Sequence, residues 1–268
     1  MDTGSGGSPG SSSGSSTGTS GGQLRCTEPP QPGLVAWWSA DNTLAELVGG
    51  HDGQAVGAVE YEEGVDGSAW SLDGIDSFVR IPDADILDIE GGNFTVSVWV
   101  RLSTLKPPDN TTSNGQGTDF AIISKMNGNN FDGWRLSRFG ENNEFWLCFG
   151  QGDNSNGCEP GDPTLAASPL EVESASWFHL VAIRGDDGVA LYAAPQGEAF
   201  GIPATAPGTG LVATGEASLA LGAIVGTLNK SGEGNAFLRG RLDEVMLFDR
   251  ALSGAEVEAL HALPYCKG

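Results

Sequence analysis

Apolar and polar residues alternate with period two along much of the chain, the pattern of strands that bury one face. The clearest run is residues 94–102. Phe94, Val96, Val98, Val100 and Leu102 share one face, and Thr95, Ser97, Trp99 and Arg101 share the other. Shorter runs of the same kind occupy residues 35–38, 69–72, 78–81, 121–124, 134–139, 145–149, 177–184, 189–193, 218–221 and 241–248. Turn signals separate them: Asp73-Gly74, Asn127-Gly128, Asp187-Gly188 and the stretch 229–234. One segment reads as a helix instead. Ser253-Gly-Ala-Glu256 is a capping box, Leu252, Val257 and Leu260 supply an apolar stripe, and Pro264 stops it. Many short strands at regular spacing with one terminal helix predict an all-β fold. The expected form is a two-sheet antiparallel jelly-roll sandwich with one short C-terminal helix.

The pattern is absent at the start of the chain. Gly, Ser and Thr make up 19 of the first 25 residues. Such a stretch has too little apolar surface to offset the entropy of ordering, so residues 1–25 are expected to be a disordered linker. Residues 26–268 are expected to form one domain. No apolar segment of signal-peptide type follows Met1. A Gly/Ser tether ahead of a cysteine-bearing β domain suggests a spacer with a signal or lipoprotein leader upstream, and hence an extracellular or bacterial cell-surface location.

Charge narrows the partners. Thirteen basic and 35 acidic residues give a net charge of −22, which repels nucleic-acid phosphates and anionic membranes alike. No run of 18 or more apolar residues exists, so no helical transmembrane segment is expected.

The four cysteines allow three pairings. Cys148 and Cys158 bracket a short polar loop that a bridge would staple. Cys26 and Cys266 then remain, one at each end of the domain. Four buried free thiols are the alternative.

Five segments carry a family resemblance, in order along residues 33–263. They are Gly33-Leu-Val-Ala-Trp-Trp-Ser-Ala-Asp-Asn42 with Gly49-Gly-His-Asp-Gly53; Leu72-Asp-Gly-Ile-Asp-Ser-Phe-Val-Arg-Ile-Pro82; residues 94–101; Trp177-Phe-His-Leu-Val-Ala182; and Gly240-Arg-Leu-Asp-Glu-Val-Met-Leu-Phe-Asp-Arg-Ala-Leu-Ser-Gly-Ala-Glu-Val257. Together they resemble LamG-like jelly-roll domains of the concanavalin A-like lectin/glucanase superfamily. The resemblance implies a structural Ca²⁺ between the first loop and the closing strand. Ca²⁺ takes six to eight oxygen ligands, and the expected donors are Asp41, Asn42, Glu46, the backbone carbonyl of His51, and Asp243.

Sugar rings stack on aromatic faces while a few polar groups hold the hydroxyls. Asn127, Asn129, Asn130, Asp132 and Trp134 cluster at one loop-to-strand junction, with Trp99 and Trp146 expected on an adjacent sheet face. Hydrolytic chemistry finds less support. Glycosidases need two carboxylates on one face, whereas Asp243 and Glu244, adjacent in a strand, should point to opposite faces. No nucleophile elbow, zinc helix or phosphate loop occurs. The expectation is therefore a non-enzymatic recognition module for a glycan or glycoprotein. A structural or protein-interaction domain is the alternative, and a degenerate glycosidase the third reading.

Overall fold

The computed structural model describes residue 1 and residues 27–88, 92–105, 120–127, 132–140, 143–150, 163–208, 217–225 and 236–266. The expected linker, Met1 apart, lies outside them.

Fifteen strands and a terminal helix follow one another in these residues. The strands are β1 (Leu34–Trp38), β2 (Gln54–Val56), β3 (Glu60–Glu63), β4 (Ser68–Asp73), β5 (Phe78–Ile81), β6 (Phe94–Leu102), β7 (Phe120–Asn127) and β8 (Asp132–Phe139). They continue with β9 (Glu144–Gly150), β10 (Ala166–Ala167), β11 (Trp177–Gly185), β12 (Gly188–Pro195), β13 (Ala204–Ala206), β14 (Leu219–Leu221) and β15 (Arg239–Phe248). The helix is α1 (Gly254–Ala259).

The strands pair antiparallel into two sheets. The first runs β13-β12-β11-β6-β15-β4-β3, with β1 added along β15; the second runs β10-β9-β8-β7-β14-β5-β2. Long sequence jumps between neighbours, such as β6 beside β15, are the crossovers of a jelly roll. The fold is the two-sheet sandwich that the alternation predicts. All five apolar residues of β6 enter the core between the sheets, where they meet Trp38, Trp70, Phe120, Trp134, Leu136 and Phe145.

The outer face of the first sheet has a second apolar layer. Val181, Ile183, Met246, Phe248 and Trp37 project there, and Leu252, Val257, Leu260 and Tyr265 cover them from α1 and its flanks. The helix begins with its capping box, in which the Ser253 side chain accepts the Glu256 N–H and the Glu256 carboxylate accepts the Ser253 N–H (2.8 Å); the carboxylate also accepts the Ser253 hydroxyl (2.7 Å). Its apolar stripe is thereby turned onto the sheet, closing the domain's end.

Candidate functional site

Two carboxylates from distant parts of the chain meet at the β3–β4 turn, residues 64–67. Asp41 follows β1, in a stretch where Ala40 and Asn42 adopt left-handed backbone (φ 57° and 53°). Its Oδ1 accepts the Ser68 N–H at 2.9 Å, and Asn42 Nδ2 donates to the Ser68 hydroxyl at 2.8 Å. From the other side Asp243, fully buried in β15, accepts the N–H groups of Val65 (2.7 Å) and Asp66 (3.2 Å) on Oδ2. The approach is so close that a Cβ at Gly64 would collide with Asp243 and one at Gly67 with Asp41; Gly67 also has φ +80°.

Glu46 does a different job. It is 8% exposed, and its carboxylate gathers the backbone N–H groups of Trp37 (2.6 Å), Val48 (2.8 Å), Gly49, Gly50 (2.6 Å) and His51 (3.4 Å). The His51 carbonyl accepts the Trp38 indole N–H at 2.9 Å. The five residues expected to share a calcium ion thus divide between two tasks: one group clamps the β3–β4 turn and the other closes the loop after β1. Among the described residues, no group of three or more His, Cys, Asp or Glu is placed to hold a metal ion.

The expected sugar-facing aromatics are also separated. Trp134 is 1% exposed and turned inward, its ring 5.5 Å from Phe94 across the core. It shares its strand phase with Leu136, which is buried between the sheets. Trp146 has the opposite phase in β9, where Phe145, Leu147 and Phe149 fill the core. It lies on the outer face of the second sheet, stacked on Phe139 (centroids 3.8 Å, 10° between planes), with its indole N–H donated to Glu144 at 3.2 Å. Trp99 belongs to the outer face of the other sheet, so it does not adjoin Trp146. Asn127 pairs with Asp132 at the ends of β7 and β8. Asn129 and Asn130 lie outside the described residues.

β15 departs from the regular strand that the sequence suggests. Its register with β6 shifts between Asp243 and Met246, and Glu244 has φ 50°. In this bulge both acids are fully buried. Asp243 serves the turn described above, and Glu244 Oε2 accepts the Trp37 indole N–H at 2.6 Å. Their roles are structural clamps on separate segments, which is not the geometry of an acid/base pair.

A buried cation escaped the sequence reading. Lys125 is 0% exposed in β7, and its Nζ meets Asp83 at 2.6 Å, Asp88 at 2.9 Å and the Ala217 carbonyl at 2.6 Å. The available signal was a lone Lys in the apolar run Phe120-Ala-Ile-Ile-Ser-Lys-Met126. A fully buried ammonium needs such partners. Of the cysteines, Cys148 and Cys266 are both disulfide-bonded; Cys26 and Cys158 lie outside the described residues.

A family model described as the concanavalin A-like lectin/glucanases superfamily matches residues 73–258, more than half the chain. No curated protein matches the sequence. Among solved structures the chain is similar to domain 4 of an extracellular arabinanase from Geobacillus stearothermophilus, in complex with arabinotriose. That match has 22% identity and TM-score 0.54, over 87% of this chain and 100% of that one. It is also similar to the binding domain of Paraclostridial Mosquitocidal Protein 1 (17% identity, TM-score 0.61, 85% of this chain and 52% of that one). A third likeness is to the sialidase of Trypanosoma rangeli (16% identity, TM-score 0.56, 89% of this chain). The chain spans about half of the second protein and 35% of the sialidase.

Proposed function

Because the chain belongs to the concanavalin A-like lectin/glucanase superfamily, we propose that it is a non-catalytic recognition module that binds a glycan, free or on a glycoprotein, outside the cell or at its surface. The observation that carries this reading is the likeness to a complete arabinanase domain whose structure holds arabinotriose. The clamped roles of Asp243 and Glu244 add to it, since a glycosidase needs two carboxylates facing the scissile bond. The binding surface in this reading is the outer face of the second sheet near Phe139. That residue is partly exposed and rests on Trp146, so one aromatic face is available for a sugar ring while the other is held rigid.

The test is a glycan array that includes arabino-oligosaccharides and sialylated glycans, run in calcium and again in EDTA, followed by titration calorimetry on any hit. Saturable binding without release of reducing sugar is expected. Signal lost in EDTA would support a bound calcium ion, and equal signal in both buffers would separate sugar binding from the ion. Phe139→Ala should weaken binding about tenfold, as loss of one stacking contact would, with little change in melting temperature. A blank array in both buffers would overturn the reading and favour a protein-interaction domain; sugar release would favour a glycosidase.

A further inference from the structure

The outer face of the first sheet carries a group of rings that the glycan reading does not use. His179 of β11 is fully buried and stacks on Trp99 of β6, with centroids 4.5 Å apart and 5° between planes. His261, just after α1, stacks on the same indole at 5.1 Å and 21°. The two imidazoles meet Nδ1 to Nδ1 at 3.0 Å, and His179 Nε2 meets the Ser97 hydroxyl at 2.8 Å. Phe200 closes the group, 5.3 Å from His179 and 4.8 Å from His261.

His261 lies midway along a strap of chain, residues 252–265, that is pinned at both ends. At one end the Leu252 N–H donates to the Thr95 hydroxyl (3.0 Å), which donates to the Arg250 carbonyl (2.9 Å). At the other, the Tyr265 N–H donates to Asp66 (2.9 Å), the Cys266 N–H donates to the Thr27 carbonyl (3.0 Å), and Cys266 is disulfide-bonded. Between the pins the strap covers Trp37, Val181, Ile183, Met246 and Phe248.

We propose that His179 and His261 form an acid-opened latch that holds the middle of this strap, α1 included, against the sheet. The reason is proton counting. An Nδ1-to-Nδ1 hydrogen bond needs one ring to donate and the other to accept through a bare lone pair. With both rings neutral, or with one proton added on His261, the bond and the Ser97 contact both survive. A second proton leaves two Nδ1–H groups facing each other, and the contact becomes repulsive.

The surroundings offer little to offset that repulsion. β6 contributes Ser97 and Trp99, both uncharged. β12 and the loop after it contribute Tyr192, Phe200 and the Glu198 backbone, which accepts from His261. α1 contributes Glu258, exposed and acting on His261 alone. The nearest acids of β15, Asp243 and Glu244, serve the β3–β4 turn and Trp37, and Tyr265 donates its hydroxyl to the Leu260 carbonyl. Burial, and then the charge of His261, hold His179 well below the usual 6.5; burial also lowers His261. For histidines depressed in the closed state, the stabilisation is complete above 6.5 and is lost as the pH falls below it. The strap lifts in its middle and bares Trp99 while both pins hold.

Hydrogen exchange at the amides of Val257, Leu260 and His261, corrected for intrinsic chemistry, tests this between about pH 7.5 and about pH 5. The window stays above the range in which Glu256 titrates. Opening should accelerate below pH 6.5 by up to about tenfold per pH unit for each proton taken up, while the amides of β6 stay protected. In His261→Gln the amide can offer an acceptor to a protonated His179, and the slope should at least halve. Histidine ring NMR of the unaltered protein should show a coupled pair, with the second step well below 6.5. Exchange independent of pH, an undiminished slope in His261→Gln, or two rings titrating independently near 6.5 would each overturn the latch.

Discussion

Glu46 shows how far a residue's role can depend on closure of its own loop. In sequence it is an acid beside Asp41 and a reasonable oxygen donor. In the structure its carboxylate is the hub on which residues 47–51 fold back, and no nearest-neighbour pattern announces that. Hydrogen bonds to a buried charge contribute more than neutral ones, about 1.5–3 kcal/mol each at the upper end and non-additively. Glu46→Ala should therefore lower stability by about 3 kcal/mol, read as a reduced urea midpoint at unchanged m value. Glu46→Gln, which keeps one carbonyl acceptor, should lose less. Equal and negligible losses in both would mean that water replaces the carboxylate. Trp134 reads as a sugar-facing residue from its Asn-rich neighbourhood, although its phase with Leu136 directs it inward. Lys125 went unread, because its partners Asp83 and Asp88 come from a loop distant in sequence.

At the scale of elements, legibility followed apolar content. β6 was readable to the residue because its five inward positions are all large and apolar. β2, β3, β10 and β13 went unread: they are two to four residues long, and β3 (Glu60-Tyr-Glu-Glu63) is exposed throughout. Strands of that kind form because a neighbour offers hydrogen bonds, which composition does not record. The bulge in β15 was equally hidden, since its left-handed Glu244 is held by Trp37 and its Asp243 by the β3–β4 turn, both distant in sequence. α1 was legible from its capping box, and its pH response follows from the same residues. Arg250, and then the Ser253 amide and hydroxyl, hold the Glu256 carboxyl down to about 2 from an ordinary 4.5. A carboxyl depressed in the folded state adds stability above 4.5 that is lost as the pH falls towards 2. The pair is largely solvent-screened, so the expected effect is fraying of α1 rather than unfolding of the domain. Glu256→Gln should abolish this acid step in α1 amide protection and leave the step below 6.5 in place. Loss of both steps together would tie them to one group.

For the whole molecule, the question is how a chain with net charge −22 keeps its two ends together. Thr27 and Tyr265 form a parallel bridge, with the Thr27 N–H donating to the Pro264 carbonyl at 2.7 Å and the Cys266 N–H to the Thr27 carbonyl at 3.0 Å. Because Cys26 is next to Thr27 in sequence, we propose Cys26 as the partner of Cys266, with Cys148 joined to Cys158. The two bridges would act differently. Closing the short 148–158 loop removes little denatured-state freedom, whereas a bridge from 26 to 266 makes nearly the whole domain a ring. On the chain-entropy account such a ring is worth about 5 kcal/mol, against about 3 kcal/mol for the short loop. Cys26→Ser with Cys266→Ser should then lower the urea midpoint more than Cys148→Ser with Cys158→Ser. It should also raise the m value, because the opened denatured chain exposes more surface. Peptide mapping under non-reducing conditions checks the pairing itself, and a peptide joining Cys26 to Cys148 would refute it. Tethering the ends also keeps the acid-opened strap attached: its outer end is held at Cys266 as well as by Tyr265 N–H on Asp66, so the same double substitution should let the C-terminal end of residues 252–265 open further at low pH, while the Leu252 end stays held by Thr95.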